Sequence, residues 1–181
     1  MKPYSSYRNI YQGTEPYIFV SYSHQNEETV ESIIEKFMED GYRVWYDKGI
    51  EPGAEWADKI QNRIIECTVF IAFISNDYVE SDDCRDELLL AKRRRKQLLA
   101  VYLEETQLEH GMEMLISRVQ SIRFYKFTFD DFLIRLYSRL TNSSLNHMLV
   151  NLNQEKRGIV VFLCDTENEI NRLMERAPVL E

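Results

Sequence analysis

The chain has 181 residues, of which 44% are hydrophobic and 12% aromatic, and its formal net charge is −8. This composition excludes a disordered chain and suffices for one domain with a buried core. The acidic balance disfavours nucleic-acid binding, and no apolar run reaches the roughly 18 residues that a membrane-spanning helix needs.

The N-terminal segment and the cysteines indicate a cytoplasmic protein. The opening residues, MKPYSSYRNIYQG, lack the apolar core of a signal peptide. The three cysteines, Cys67, Cys84 and Cys164, are an odd number and show no C-x-x-C spacing. This pattern argues against a disulfide framework and against a zinc site, so we expect a reducing compartment and no bound metal.

Strands and helices are predicted to alternate along most of the chain. Short apolar runs predict five strands, at 17–22, 42–46, 68–74, 97–103 and 119–124. Apolar residues at helical spacing predict the intervening helices, at about 27–40, 56–67, 83–92, 112–118 and 130–140. Asn26 is the expected N-cap of the first helix, and Asp83 that of the third. The alternation predicts an α/β protein with a flavodoxin-like three-layer sandwich, whose five parallel strands run in the order 2-1-3-4-5.

The pattern also suggests three regions. We expect an N-terminal extension at 1–15, a main domain at 16–140 and a C-terminal appendage at 141–181, where the sequence becomes more polar. A further strand at 158–165 and a helix at about 167–176 are predicted within the appendage.

An open parallel sheet binds ligands at the carboxyl ends of its strands, where the strand order reverses. With the predicted order, that position lies between strands one and three. The polar segments 23–26 and 75–78 follow these two strands, and the helix after the second segment carries Glu87. The predicted topology therefore brings an acidic helix start, within YVESDDCRDELLLAK, towards the expected cleft.

The residues give weaker support to other kinds of site. The chain contains neither G-x-G-x-x-G nor G-x-x-x-x-G-K-[ST], the fingerprints of dinucleotide and P-loop sites. A Cys84–His24 nucleophile pair is conceivable, but Cys84 lies on an apolar stripe. A signalling receiver needs paired acids after strand one, where this chain has Ser-Tyr-Ser-His. The basic run 92–96 is either a solvated helix end or a patch for an acidic partner.

Three motifs resemble the conserved boxes of TIR (Toll/interleukin-1 receptor/resistance) domains. They are FVSYSH, GYRVWYDKGIEPGAEW and FIAFISNDYVESDDCRDEL, and the resemblance covers about residues 16–140. The chain is similar to standalone bacterial TIR proteins. The resemblance implies a flavodoxin-like fold and a mobile assembly loop after strand two, which here comprises Asp47, Lys48, Gly49, Ile50, Glu51, Pro52 and Gly53.

The resemblance also implies an activity, because many TIR proteins cleave NAD⁺ between nicotinamide and ribose. The product would be ADP-ribose or a cyclic or related nucleotide signal, as in bacterial antiphage defence, with NAD⁺ as substrate and no cofactor. The family's catalytic glutamate corresponds to Glu87. The positions expected to bind substrate are Ser21, Tyr22, Ser23, His24, Asn26, Trp45, Tyr46, Ser75, Asp83 and Cys84.

One glutamate suffices for this chemistry. Nicotinamide is a cationic pyridinium in NAD⁺ and leaves neutral, so no general acid is required, and a carboxylate stabilises the ribosyl cation that remains. NAD-cleaving members often carry W-x-x-x-E, whereas this chain has Asp83 in place of the tryptophan. Trp45 and Tyr46 are the expected substitutes for that aromatic surface.

The implied partners are other TIR domains, through self-association, and an effector that senses the nucleotide product. Neither nucleic acid nor membrane is expected to bind. The alternative is a non-enzymatic TIR adaptor that acts only through association with other TIR domains. A nucleotide-cleaving enzyme and an adaptor differ in whether the purified protein releases nicotinamide from NAD⁺.

Overall fold

A computed structural model describes residues 10–48, 54–108 and 110–140. Five parallel strands form one sheet in the order 2-1-3-4-5, which confirms the predicted fold. The strands are β1 (Ile18–Tyr22), β2 (Val44–Tyr46), β3 (Val69–Ile74), β4 (Gln97–Tyr102) and β5 (Gln120–Arg123). The helices are α1 (Glu27–Glu39), α2 (Ala54–Glu66), α3 (Asn76–Glu80), α4 (Asp82–Arg93), α5 (His110–Ile116) and α6 (Phe129–Leu140).

Side chains alternate between the two faces of the sheet and build two cores. In β3, Val69, Ile71 and Phe73 point to one face, where α1 and α6 pack. Phe70, Ala72 and Ile74 point to the other, where α2, α4 and α5 pack. The all-apolar β3 is buried along its whole length, as expected for a central parallel strand covered on both faces.

The short helix α3 was not predicted, since its residues resembled a polar loop. Ser75 is its N-cap, and its hydroxyl accepts a hydrogen bond from the Tyr78 backbone N–H at 3.0 Å. Tyr78 and Val79 are buried and anchor the helix. Ser81 then caps α4 by accepting from the Cys84 N–H at 3.3 Å, so the prediction that Asp83 is the cap was wrong.

Part of the expected N-terminal extension packs on the domain. The Tyr11 N–H donates to the Val44 carbonyl at 3.0 Å, and the Arg63 guanidinium donates to the Gly13 carbonyl at 3.0 Å. Residues 1–9 and 141–181, including the predicted strand and helix of the appendage, lie outside the described residues. Within the described ranges, no helix is long and apolar enough to cross a membrane.

Candidate active site

A cleft of about 230 Å³ lies at the carboxyl end of β1, between the turn that follows this strand, the start of α2 and the start of α4. Three carboxylates, Asp47, Asp83 and Glu87, line it, and no lysine or arginine is among its described lining residues. The complete lining is Val20, Ser21, Tyr22, Ser23, His24, Gln25, Asp47, Trp56, Ser81, Asp83, Cys84 and Glu87. The cleft is therefore suited to a cationic ligand group.

Glu87 is held between two rigid elements. It projects from α4, which is anchored in the core by Cys84, Leu88 and Ala91. The Ser21 hydroxyl, buried near the end of β1, donates a hydrogen bond of 2.6 Å to Glu87 Oε2. A charged hydrogen bond of this length fixes the carboxylate more firmly than helix packing alone.

The environment of Glu87 favours its neutral form. Burial raises the pKa of the Glu87 carboxyl to about 7, and the charges of Asp47 and Asp83 act in the same direction, whereas the Ser21 hydrogen bond lowers the pKa. The carboxyl thus changes charge near neutral pH. A general base or an electrostatic catalyst is effective in this range.

A chain of hydroxyl groups extends behind Glu87. The Ser21 and Tyr78 oxygens are 3.1 Å apart, and the Tyr78 hydroxyl donates to the Cys84 carbonyl at 3.2 Å. With Glu87 ionised, Ser21 donates to it, and Tyr78 has one hydrogen for two acceptors, Ser21 and the Cys84 carbonyl. With Glu87 protonated, it can donate to Ser21, Ser21 to Tyr78, and Tyr78 to Cys84, so every contact has a hydrogen. The network can therefore accommodate Glu87 in either protonation state.

Asp47 also lines the cleft. Its Oδ2 accepts from Trp56 Nε1 at 3.3 Å and lies 3.6 Å from His24 Nε2. The Tyr22 hydroxyl donates to the Asp47 backbone carbonyl at 3.2 Å. The three contacts come from β1, from the turn after β1 and from α2. Together they hold Asp47, which directly follows β2. Asp47, expected only as part of an assembly loop, is thus a second carboxylate of the cleft.

Most residues predicted to bind substrate do line this cleft. Those found there are Ser21, Tyr22, Ser23, His24, Asp83 and Cys84. Asn26 and Ser75 instead contact each other, since the Ser75 hydroxyl donates to Asn26 Oδ1 at 2.6 Å. Asn26 occupies the N-cap position of α1, but its side chain makes no capping hydrogen bond. The pair joins the segments after β1 and β3 beside the cleft.

The expected aromatic substitutes do not reach the cleft. Trp45 is buried in the core and stacks on Phe19 with ring centroids 4.9 Å apart, while Tyr46 is buried in the core on the other face of the sheet. Both lie within the strand, where side chains must point into one core or the other. Trp56, at the start of α2, lines the cleft together with the aromatic ring of Tyr22.

Two further expectations concern Cys84 and the assembly loop. Burial raises the pKa of the Cys84 thiol to about 12, which leaves it protonated and argues against a Cys84–His24 nucleophile pair. Lys48 forms an ion pair with Glu31 of α1. The remainder of the expected assembly loop, 49–53, lies outside the described residues.

A parallel sheet of order 2-1-3-4-5 with a cleft at the end of β1 defines a flavodoxin-like α/β protein. The sequence model of the TIR domain family matches residues 18–137, well over half of the chain. The protein belongs to the TIR domain family.

Solved structures of other proteins are similar to this chain. The TIR domain of the Toll-related receptor TRR-2 from Hydra magnipapillata is similar with a TM-score of 0.54 at 14% identity, over 66% of this chain and 94% of that one. The TIR domains of the activated Roq1 resistosome, which recognises the pathogen effector XopQ, give 0.44 at 18% identity, over 50% and 58%. The CMP N-glycosidase BcmB of Clostridium botulinum gives 0.45 at 19% identity, over 58% and 84%. A search of curated proteins found no match.

Proposed function

We propose that this protein cleaves NAD⁺ at the bond between nicotinamide and ribose, with the Glu87 carboxylate stabilising the ribosyl cation. The observation that carries the proposal is the position of Glu87, fixed at 2.6 Å from buried Ser21 in a cleft that contains three carboxylates. Nicotinamide would leave, and water would add to the ribosyl cation to give ADP-ribose, or another nucleophile would add to give a cyclic or related nucleotide that acts as a signal in bacterial defence.

The charge and size of the cleft fit one end of the substrate. The pyridinium of NAD⁺ is cationic before cleavage and the ribose becomes cationic during it, so the carboxylates favour both states. A volume of about 230 Å³ is below the range of roughly 300–1,000 Å³ found for whole drug-sized ligands. The nicotinamide–ribose half would enter the cleft, and the diphosphate and adenosine would remain outside it.

Nicotinamide release from NAD⁺ by the purified protein is the direct test. Chromatography of the reaction would separate ADP-ribose from cyclic or base-exchanged products. Release that exceeds the uncatalysed rate and depends on Glu87 would support the proposal. Intact NAD⁺ after long incubation at high protein concentration would count against it.

Trp56 is the proposed stacking surface for the pyridinium ring. Its indole N–H is bound to Asp47, which orients the ring at the cleft wall. Stacking and cation–π contacts contribute about 0.5–1 kcal/mol each, so losing both in Trp56→Ala should raise the KM for NAD⁺ about 5- to 30-fold. Trp56→Phe keeps a ring and should raise it less than about fivefold. Equal KM values for the alanine variant and the parent would exclude this role.

Ser21 is proposed to position Glu87 and to favour its ionised form. Ser21→Ala removes the donor to the carboxylate, which should raise the pKa of Glu87 and move the midpoint of the pH–activity profile up by about one unit. Activity should therefore fall at pH 7 and recover towards the parent value near pH 9. Ser23→Ala, in the same cleft but without that hydrogen bond, is the matched control. A loss that is equal at every pH would indicate a merely structural role.

We also propose that activity depends on self-association, because the described cleft encloses only part of the substrate. Turnover per chain should then rise with protein concentration as the fraction of associated chains increases. Nicotinamide release measured over a hundredfold dilution, alongside light scattering, checks this. Constant turnover by a strict monomer would contradict it.

A second candidate function is that of a non-enzymatic adaptor. One observation favours it: Asp83 occupies the position of the tryptophan in the W-x-x-x-E motif that NAD-cleaving members often carry. An adaptor would associate with other TIR domains without consuming NAD⁺. The nicotinamide assay and the association measurement together separate the two functions.

A further inference from the structure

A second cleft of about 440 Å³ lies at the opposite end of the sheet, where β4 and β5 begin. We call it the basic cleft, and its lining is Lys92, Lys96, Gln97, Leu98, Leu115, Arg118, Val119, Gln120 and Arg139. Four of these residues are cationic and none is acidic, on a chain whose net charge is −8. Its electrostatic character is therefore opposite to that of the candidate active site.

The turn at the end of α4 places two of these cations, Lys92 and Lys96, at the basic cleft. Arg95 has a positive φ of 54°, and the Lys96 N–H donates back to the Ala91 carbonyl at 3.0 Å. This left-handed turn is the usual end of a helix, as at Gly41 after α1. The chain reverses there, so Lys96 joins Lys92 at the cleft while Arg93 and Arg94 are exposed and outside its lining.

The two lysines have a structural function. Lys92 Nζ donates to the Met114 and Leu115 carbonyls of α5 at 3.0 and 2.8 Å, and Lys96 Nζ donates to the Cys67 carbonyl at 2.8 Å. They thereby satisfy carbonyl groups at the ends of α5 and α2, where cations are favoured. Capping of these helices accounts for the lysines, but not for the two arginines of the cleft.

Arg118 and Arg139 come from different elements and converge on the same cleft. Arg118 follows α5, and Arg139 lies in the last turn of α6. Both are exposed, and neither guanidinium forms an ion pair with a carboxylate in the part of the chain that the structure describes. Both guanidinium groups are therefore available to an anionic ligand. Guanidinium groups bind phosphate oxygens in a bidentate manner, so phosphate is a suitable one.

The remaining residues that line the basic cleft are uncharged. Leu98, Leu115 and Val119 are partly buried and provide an apolar floor, while Gln97 and Gln120 add amide groups at the strand starts. The volume is within the range of small-molecule sites. A ligand with several negative charges and a flat apolar part would match both the arginines and the floor.

We propose that the basic cleft binds a nucleotide carrying two or more phosphates. The phosphates contact Arg118 and Arg139, with the lysine ammonium groups nearby, and the base lies against the leucine and valine side chains. This site is independent of NAD⁺ cleavage, because its residues are at the other end of the sheet from Glu87.

Isothermal titration with ATP, inorganic pyrophosphate and adenosine tests the proposal. ATP should bind one per chain, more tightly than pyrophosphate, and adenosine should not bind measurably. The double variant Arg118→Gln/Arg139→Gln should weaken ATP binding at least tenfold. The matched control Arg93→Gln/Arg94→Gln removes the same charge outside the cleft and should change it less than twofold.

Three results would overturn the proposal. The first is no ATP binding by a folded protein at low ionic strength. The second is equal weakening in both double variants, which would show that ATP responds only to the overall charge of the surface. The third is a DNA or RNA oligonucleotide that displaces ATP and binds with a footprint including Arg93 and Arg94, which would assign the surface to nucleic acid. Melting temperatures of both variants should equal that of the parent, since all four side chains are exposed.

Discussion

Glu87→Gln is expected to reduce NAD⁺ cleavage about a thousandfold in a protein that remains folded. A carboxylate about 4 Å from a developing cation contributes on the order of 4 kcal/mol at an effective dielectric constant of about 20. A barrier change of this size corresponds to roughly a thousandfold in rate. The glutamine side chain keeps the shape and can accept the hydrogen bond from Ser21, so the variant isolates the charge. The value of kcat/KM from nicotinamide release measures the effect.

Neighbouring acids serve as controls for this prediction. Asp82 and Asp86 lie on the same helix but are exposed and do not line the cleft. Asp82→Asn and Asp86→Asn should change activity only a few fold, through the weaker field of a more distant charge. Near-parental activity of Glu87→Gln would show that Glu87 is not the catalytic carboxylate. If Asp47→Asn alone abolished cleavage, the catalytic carboxylate would be Asp47.

The order of the strands could be predicted from the sequence, because the burial of each strand and helix determines its pattern of apolar residues. The uninterrupted apolar run of β3 predicts a strand covered on both faces, and the apolar positions of α1 predict the stripe that packs on the sheet. The five-residue α3 was missed because it is too short to display a helical period. Its stability comes from the Ser75 cap and from burial of Tyr78, neither of which a periodic pattern reveals.

The candidate site was less predictable because its contacts are distant in sequence. The Ser21–Glu87 hydrogen bond joins residues 66 positions apart, and only the strand order suggests that they approach. Trp45 does not reach the cleft, since it lies within the hydrogen-bonded ladder, paired with Phe19. The cleft begins one residue beyond β2, at Asp47, and Trp56 reaches it from the start of α2. The position of each tryptophan relative to the end of β2 would have distinguished Trp45 from Trp56.

Glu87→Gln should also change how stability depends on pH. The pKa of the Glu87 carboxyl rises from its ordinary value of 4.5 to about 7 on folding, chiefly through burial. Between these values the folded chain holds a proton that the unfolded chain has released. Glu87 therefore contributes stability that is fully present below about pH 4.5 and is lost as the pH rises through about 7. The loss is on the order of 3 to 4 kcal/mol, because one pKa unit corresponds to about 1.4 kcal/mol.

Glutamine has no proton to lose, so Glu87→Gln should retain its stability at pH 8 better than the parent does. Urea unfolding at pH 5 and pH 8 measures the difference, and other titrating groups cancel when the two proteins are compared at each pH. Asp86→Asn, an exposed acid one residue away, should follow the parent at both pH values. Parallel pH dependence of the parent and Glu87→Gln would show that the carboxyl is ionised throughout this range. If the parent is less stable than Glu87→Gln at pH 8, the charge that cleavage requires destabilises the folded protein. The candidate site would then be maintained at a cost in stability.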